Sequence, residues 1–233
     1  MEEILIDLKQ KAFIHKILIK QKMLQKPTIN ASWLGSHDYC EWKWYLENVL
    51  KEEVPITKSM VIGKEIHQNK EDRFKEVAIP TTAEEFLKSK FYTITKEIYL
   101  KKEFDNFILV GKIDELGVDI NCLYVIDDKP KAKPYMGTKR QIWAYCILIN
   151  GFIKENYPEH LNKKILAVLR NRDSDMEVWK EEFNEYNKKE VLGVIERMLS
   201  LFRKEIEPVA NTTPGKCRAC ILHKNNNCEF SCG

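Results

Sequence analysis

Apolar positions along the 233-residue chain change their spacing several times, and each change predicts an element. From Phe91 to Lys101 β-branched and aromatic residues predominate, which predicts a strand. Two apolar runs follow, 108–117 and 123–129. Gly117 and Asn121 lie in the link between them, so the pair reads as a hairpin. Residues 164–170 and 177–183 predict a second strand pair, with its turn over Asn171 to Asp175. Elsewhere the spacing is helical. Residues 1–25 carry Ile4, Leu8, Ile14, Ile17, Leu18 and Leu24 and are stopped by Pro27. Residues 59–76 carry Ile62, Ile66 and Phe74, and residues 137–150 carry Trp143, Cys146, Ile147 and Ile149. The last long helix is 185–206, closed by Pro208. An aromatic-rich stretch lies near residues 29–46, where Ser32 can cap a helix. Residues 80–90 read as a polar connection with a short helical turn, and Pro130 to Pro134 as a basic loop that cannot continue a strand. The expected class is α/β, a mixed central β-sheet flanked by helices.

Composition narrows the picture only slightly. With 44% apolar residues the chain can bury a sizeable core. Thirty-eight basic against 35 acidic residues leave a net charge of +3, too little to imply nucleic acid. No apolar run reaches membrane-spanning length, and Glu2 and Glu3 do not suit a signal peptide, so no membrane contact and a cytoplasmic location are expected. No Gly-x4-Gly-Lys-Ser/Thr loop is present, which excludes an ATP-driven helicase within this chain. Of seven cysteines, five fall in spacings that suggest metal rather than disulfide.

The hairpin carries the most telling chemistry. Each run ends in acid, at Asp114 and at Asp127-Asp128, with Lys129 beside them. A buried carboxylate without a partner is costly, and a divalent cation held through oxygen offsets that cost. Two acids and a lysine also suit phosphodiester cleavage. The plainer alternative is a hairpin whose acidic ends stand in water. By strand alternation Asp127 and Lys129 share a face and Asp128 points away; if the strand ends early, Asp128 takes the ligand's place. In the tail, Cys217-x2-Cys220-x7-Cys228 is metal spacing, with Cys232 close behind. A zinc knob and an iron–sulfur cluster both satisfy it. Taken singly, Cys40 reads as a small buried residue, His67 as a structural histidine, Gln141 as a surface residue and Tyr145 as packing.

The order of these pieces is more specific than any one of them. Cys40 lies in Ser-x7-Cys-x2-Lys-x-Tyr-Leu and His67 in Gly-x3-His. Gly-x-Ile-Asp ends at Asp114, Ile-Asp-x-Lys at Lys129 and Gln-x3-Tyr at Tyr145, and a cysteine cluster closes the chain. Over residues 30–232 this resembles the RecB-like branch of the PD-(D/E)XK nucleases. It is most similar to the CRISPR-associated Cas four family of iron–sulfur exonucleases, and also to exonuclease five-like proteins. The resemblance implies a restriction-endonuclease-like core over 59–207, a helical N-terminal region over 1–58 with the first cluster cysteine, and a cluster tail over 208–233. It implies Mg²⁺ or Mn²⁺ on His67, Asp114 and Asp127, with catalytic roles for Lys129, Gln141 and Tyr145. A [4Fe-4S] cluster would sit on Cys40, Cys217, Cys220 and either Cys228 or Cys232; Cys228 is nearer the usual spacing. The implied activity is exonucleolytic cleavage of single-stranded DNA or overhangs. Its setting is the trimming of DNA ends alongside CRISPR adaptation proteins, or stand-alone repair or viral work. A catalytically silent DNA-binding adaptor is the alternative. Lys129, Lys131, Lys133, Lys139 and Arg140 can meet phosphates or form a solvated basic loop, and Trp33, Tyr39, Trp42 and Trp44 are expected to pack or to stack on bases.

Overall fold

A computed structural model describes residues 26–54, 58–225 and 228–230, without the side chains of several residues of the helix over 58–77, His67 among them. The helix expected over 1–25 and Cys232 lie outside the described residues. The fold is the expected mixed sheet with helices. Its strands are β1 (Thr28–Asn30), β2 (Thr93–Glu103), β3 (Ile108–Val118), β4 (Cys122–Lys129), β5 (Lys164–Asn171) and β6 (Glu177–Glu182). The helices are α1 (Trp33–Tyr39), α2 (Glu41–Tyr45, continued by a wide turn through Leu50), α3 (Lys58–Val77), α4 (Ala83–Leu87), α5 (Met136–Asn156), α6 (Glu185–Phe202), α7 (Pro214–Ala219) and α8 (Ile221–Lys224).

Strand β3 is the hub. It pairs antiparallel with β2 along one edge. Its other edge is shared: β1 runs parallel to its first part, over Ile108 to Val110, and β4 runs antiparallel to its last part, over Glu115 to Val118. β4 is parallel to β5, with α5 as the crossover, and β6 closes the sheet antiparallel to β5. The parallel β4 is apolar with little alternation until its acidic end, as a strand covered on both faces should be.

Helix α5 lies between the sheet, α1 and α6. Every residue from Gln141 to Ile149 is buried. The surface position expected for Gln141 is therefore corrected: a helix enclosed on several sides loses its polar stripe. Two glycines permit this enclosure. A Cβ on Gly111 would stand 2.7 Å from Cε1 of Tyr145, and one on Gly137 2.7 Å from Cβ of Asp38. Helix α6 begins with a reciprocal cap, in which Asn184 accepts from the Asn187 amide at 3.1 Å and Asn187 returns the bond at 3.0 Å.

Several boundaries differ from expectation. Strand β2 begins at Thr93, leaving Phe91 and Tyr92 exposed. Helix α5 continues six residues past Asn150 to Asn156, and α6 ends at Phe202, just before Lys204 turns left-handed at φ 59°. Ser32 does not cap α1. Its hydroxyl and amide donate instead to Oδ1 of Asn30, at 3.0 and 3.1 Å.

The tail is fastened to the N-terminal helices through Glu41, which is wholly buried. Its carboxylate accepts from Arg197 Nη2 and from the Val209 amide, each at 2.8 Å, and lies 3.0 Å from His37 Nε2. The Glu41 amide donates to Asn211 at 2.7 Å. Pro214 suits the first turn of α7, where the Thr213 hydroxyl accepts from Lys216.

Candidate active site

The β3–β4 ladder stops at Glu115 and Ile126, so the next opposed pair would be Asp114 and Asp127. There the strands part, and the two carboxylates face one another at the mouth of the split. The Asp128 amide donates to Asp114 Oδ2 at 3.3 Å across the gap. Lys129 Nζ lies 3.1 Å from Oδ1 and 3.0 Å from Oδ2 of Asp127. Gln141, one turn before Tyr145 on α5, donates Nε2–H to Asp127 Oδ1 at 3.3 Å and to the Tyr145 oxygen at 3.0 Å. The structure thus brings Asp114, Asp127, Lys129, Gln141 and Tyr145 together. The side chain of His67 lies outside the described residues.

Electrostatics reflect the crowding. Burial, then the nearby charge of Asp127, pushes the Asp114 carboxyl up to about 7. Burial tends to lower Lys129, but Asp127 and Asp114 outweigh it and hold the ammonium above its usual range. Burial and then Asp127 raise the Tyr145 phenol well above its usual range, so it stays protonated. Oδ2 of Asp127 is buried and has the Lys129 ammonium at 3.0 Å as its counter-charge. Two carboxylates forced together at the end of a buried strand pair suit a hard cation that binds through oxygen and keeps part of its water. Among the described residues, no three His, Cys, Asp or Glu side chains converge on a single-ion site.

Asp128 is occupied elsewhere. It accepts from Arg170 Nε at 2.7 Å and Nη2 at 3.1 Å, and the same guanidinium holds Glu115 at 2.9 and 3.1 Å. This places Asp128 on the opposite face from Asp127, as alternation predicts. The Arg170–Glu115 pairing was not legible from sequence, because nothing local links residues 55 positions apart. Arg140 corrects an expectation. It is bound to Asp38 at 2.7 Å and Glu190 at 2.6 Å, where it joins α1, α5 and α6 instead of presenting a cation to solvent. Lys139 lies 4.9 Å over the Trp179 ring.

A second cluster sits at the tail. Cys40 at the start of α2, Cys217 in α7, Cys220 between α7 and α8, and Cys228 line one hollow with Tyr39 and Trp42. Among the described residues none of the four is joined in a disulfide, and burial raises the thiols of Cys40 and Cys228. Trp33 and Trp44 pack against Phe202, Trp44 being fully buried, and Trp42 packs against Tyr45 and Phe230.

No family model matches the chain, and no curated protein does. Solved structures do. The crystal structure of SSO0001 superposes with a TM-score of 0.53 at 17% identity, covering 94% of this chain and 98% of that one. The likeness establishes a shared fold. An exonuclease candidate from Eubacterium rectale aligns at a TM-score of 0.47 and 12% identity, over 86% and 88% of the two chains. Among the described residues no helix is long and apolar enough to cross a membrane.

Proposed function

We propose that the protein is a Mg²⁺- or Mn²⁺-dependent DNA exonuclease stapled by a [4Fe-4S] cluster. The observation that carries this reading is the opposed pair Asp114 and Asp127 where β3 and β4 part, with Lys129 3.0 Å from Asp127. Asp114 and Asp127 would hold the cation, and His67 is the candidate for a further ligand. The bound cation supplies Lewis-acid polarisation of a phosphoryl oxygen and an activated water. Lys129 stays protonated beside the carboxylates and offers its ammonium to the charge that builds on the phosphate. Gln141 fixes the rotamer of Asp127, and Tyr145 fixes Gln141 from behind.

Cys40, Cys217, Cys220 and Cys228 are the proposed cluster ligands. Each thiolate of such a cluster binds a different iron, and four cysteines around one hollow are the donor set it requires. The staple would join Cys40 to a tail 177 residues later and so constrain the unfolded chain by roughly 5 kcal/mol. Its role is structural.

Lys129→Ala tests the reading. Cleavage of single-stranded DNA with Mg²⁺ should fall by about 100-fold or more while thermal stability and DNA binding persist. Cleavage at the wild-type rate would refute the assignment.

A further inference from the structure

The β2–β3 ladder has one interruption, and it lies at the candidate active site. Pairing runs from Thr93↔Val118 to Lys96↔Glu115 and resumes at Ile98↔Ile113. Glu97 is left out, directly opposite Asp114. Its backbone is left-handed at φ 59°, inside an eleven-residue strand. For a residue with a long side chain this costs about 1–2 kcal/mol, which the surrounding structure must offset. The conformation places a carboxylate that is only 13% exposed against the ammonium of Lys112, which is 51% exposed. Lys112 precedes Asp114 by two residues on β3, in the stretch between the end of β1 pairing at Val110 and the start of β4 pairing at Glu115. That edge of β3 is open there, and the split between β3 and β4 begins beside it. The Glu97 charge also acts on both Asp114 and Tyr145, which sets it on the site side of the sheet.

We propose that Lys112 is a contact for a backbone phosphate of the bound strand, and that Glu97 holds it in readiness over the site. This inference rests on the nuclease reading and names a residue pair outside the motifs that support it. On binding, the Lys112 ammonium exchanges the Glu97 carboxylate for a phosphate oxygen. No covalent bond changes, and the phosphate takes over as the counter-charge of the ammonium. Glu97 is then left with uncompensated negative charge opposite Asp114, which strengthens cation binding there. By reciprocity the cation strengthens DNA binding by the same factor.

The test measures binding of a single-stranded oligonucleotide over a series of salt concentrations, with and without Mg²⁺, in the Lys129→Ala background that stops cleavage. Adding Lys112→Met should weaken binding and reduce the slope of log affinity against log salt by about 0.7, the share of one phosphate contact on single strands. Lys112→Arg should keep the slope. Glu97→Gln should tighten binding without Mg²⁺ and reduce the enhancement that Mg²⁺ brings. An unchanged slope in Lys112→Met, or weaker metal-free binding in Glu97→Gln, would overturn the proposal while leaving the nuclease reading intact. Absence of DNA binding by the Lys129→Ala parent itself would overturn the nuclease reading. Circular dichroism and a thermal melt on each variant confirm that the sheet is retained, so that a lost slope is not a lost fold.

Discussion

Replacing Gly111 by alanine sets two effects against each other. Glycine inside a strand costs roughly 0.5–1 kcal/mol relative to alanine, because the unfolded chain has more freedom to lose. On that ground Gly111→Ala would stabilise the protein. The new methyl, however, would stand 2.7 Å from Cε1 and 2.9 Å from Cδ1 of Tyr145, and 2.9 Å from Cδ1 of Leu148. Neither neighbour has room to retreat, since Tyr145 is 4% and Leu148 1% exposed. Overpacking of this kind costs about 1–3 kcal/mol, so the clash should win with a net loss of roughly 1–2 kcal/mol. Urea unfolding followed by circular dichroism reads the loss directly. Displacing the Tyr145 ring also loosens Gln141, 3.0 Å from its oxygen, and through Gln141 the orientation of Asp127. The proposed nuclease activity should therefore fall further than stability alone explains. A double-mutant cycle with Tyr145→Ala decides the cause. With the ring gone two of the three close contacts vanish and Leu148 gains space to move aside, so the two penalties should fail to add by about 1 kcal/mol or more. If Gly111→Ala is neutral or stabilising, or if the penalties add, close approach is not why this position holds glycine.

Three further outcomes are expected. Glu41→Ala should cost roughly 2–3 kcal/mol in thermal or urea unfolding, less than for a wholly buried pair because Arg197 still reaches water; a loss under about 0.5 kcal/mol would show that the buried carboxylate does not hold the tail. In metal-free protein Asp114 keeps its proton up to about pH 7, whereas the unfolded chain gives it up near the ordinary carboxylate value of about 4. Its stabilising contribution is complete below that lower value and is lost as pH rises through 7, so the urea midpoint should be lower at pH 8 than at pH 5.5. Asp114→Asn should flatten the difference, and an unchanged pH slope in that variant would assign the effect to another group. On the proposed cluster assignment, anaerobically purified wild type should be brown and carry iron; Cys40→Ala should lose both and melt at a lower temperature, and Cys232→Ala should do neither. Iron retained in the first and lost in the second would exchange the ligands, and zinc in the wild type would remove the cluster.

The sheet was legible where a strand announces itself locally. β3, β4 and β5 appear within one or two residues of their expected limits because each is an apolar run bounded by turn residues. β1 was not legible. Its three residues have no periodicity of their own and become a strand only by pairing with Ile108 to Val110. Asp114, Asp127 and Lys129 could be singled out because charge at the end of a buried run is unusual. Alternation put Asp127 and Lys129 on one face of the strand but left Asp128 open if the strand ended early; β4 runs on through Lys129, and Asp128 is turned to Arg170. The surroundings were less accessible. Gln141 looked like a surface residue because sequence does not say that α1 and α6 would both close over α5. Arg140 looked like a phosphate contact until Asp38 and Glu190, one on each neighbouring helix, were seen to share it. Glu97 gave no signal at all, since its left-handed backbone has neither glycine nor asparagine to mark it.

The divided edge of β3 has a consequence for how the chain is made. The partners of the earliest described residues are synthesised late. Thr28 waits for Ile108, 80 residues further on, and Trp44 for Phe202. At about 5–20 residues per second, the aromatic surface of Trp33 and Trp44 stays uncovered for roughly 8–30 s on the ribosome. Contacts this distant also slow folding in free solution, because long loops must close before they are rewarded. A segment made well before the hub strand is thus among the last to be finished. Refolding from denaturant should show Trp33 and Trp44 fluorescence reaching its native value after the β3–β4 hairpin has formed, and a chaperone that shields aromatic side chains should raise the yield.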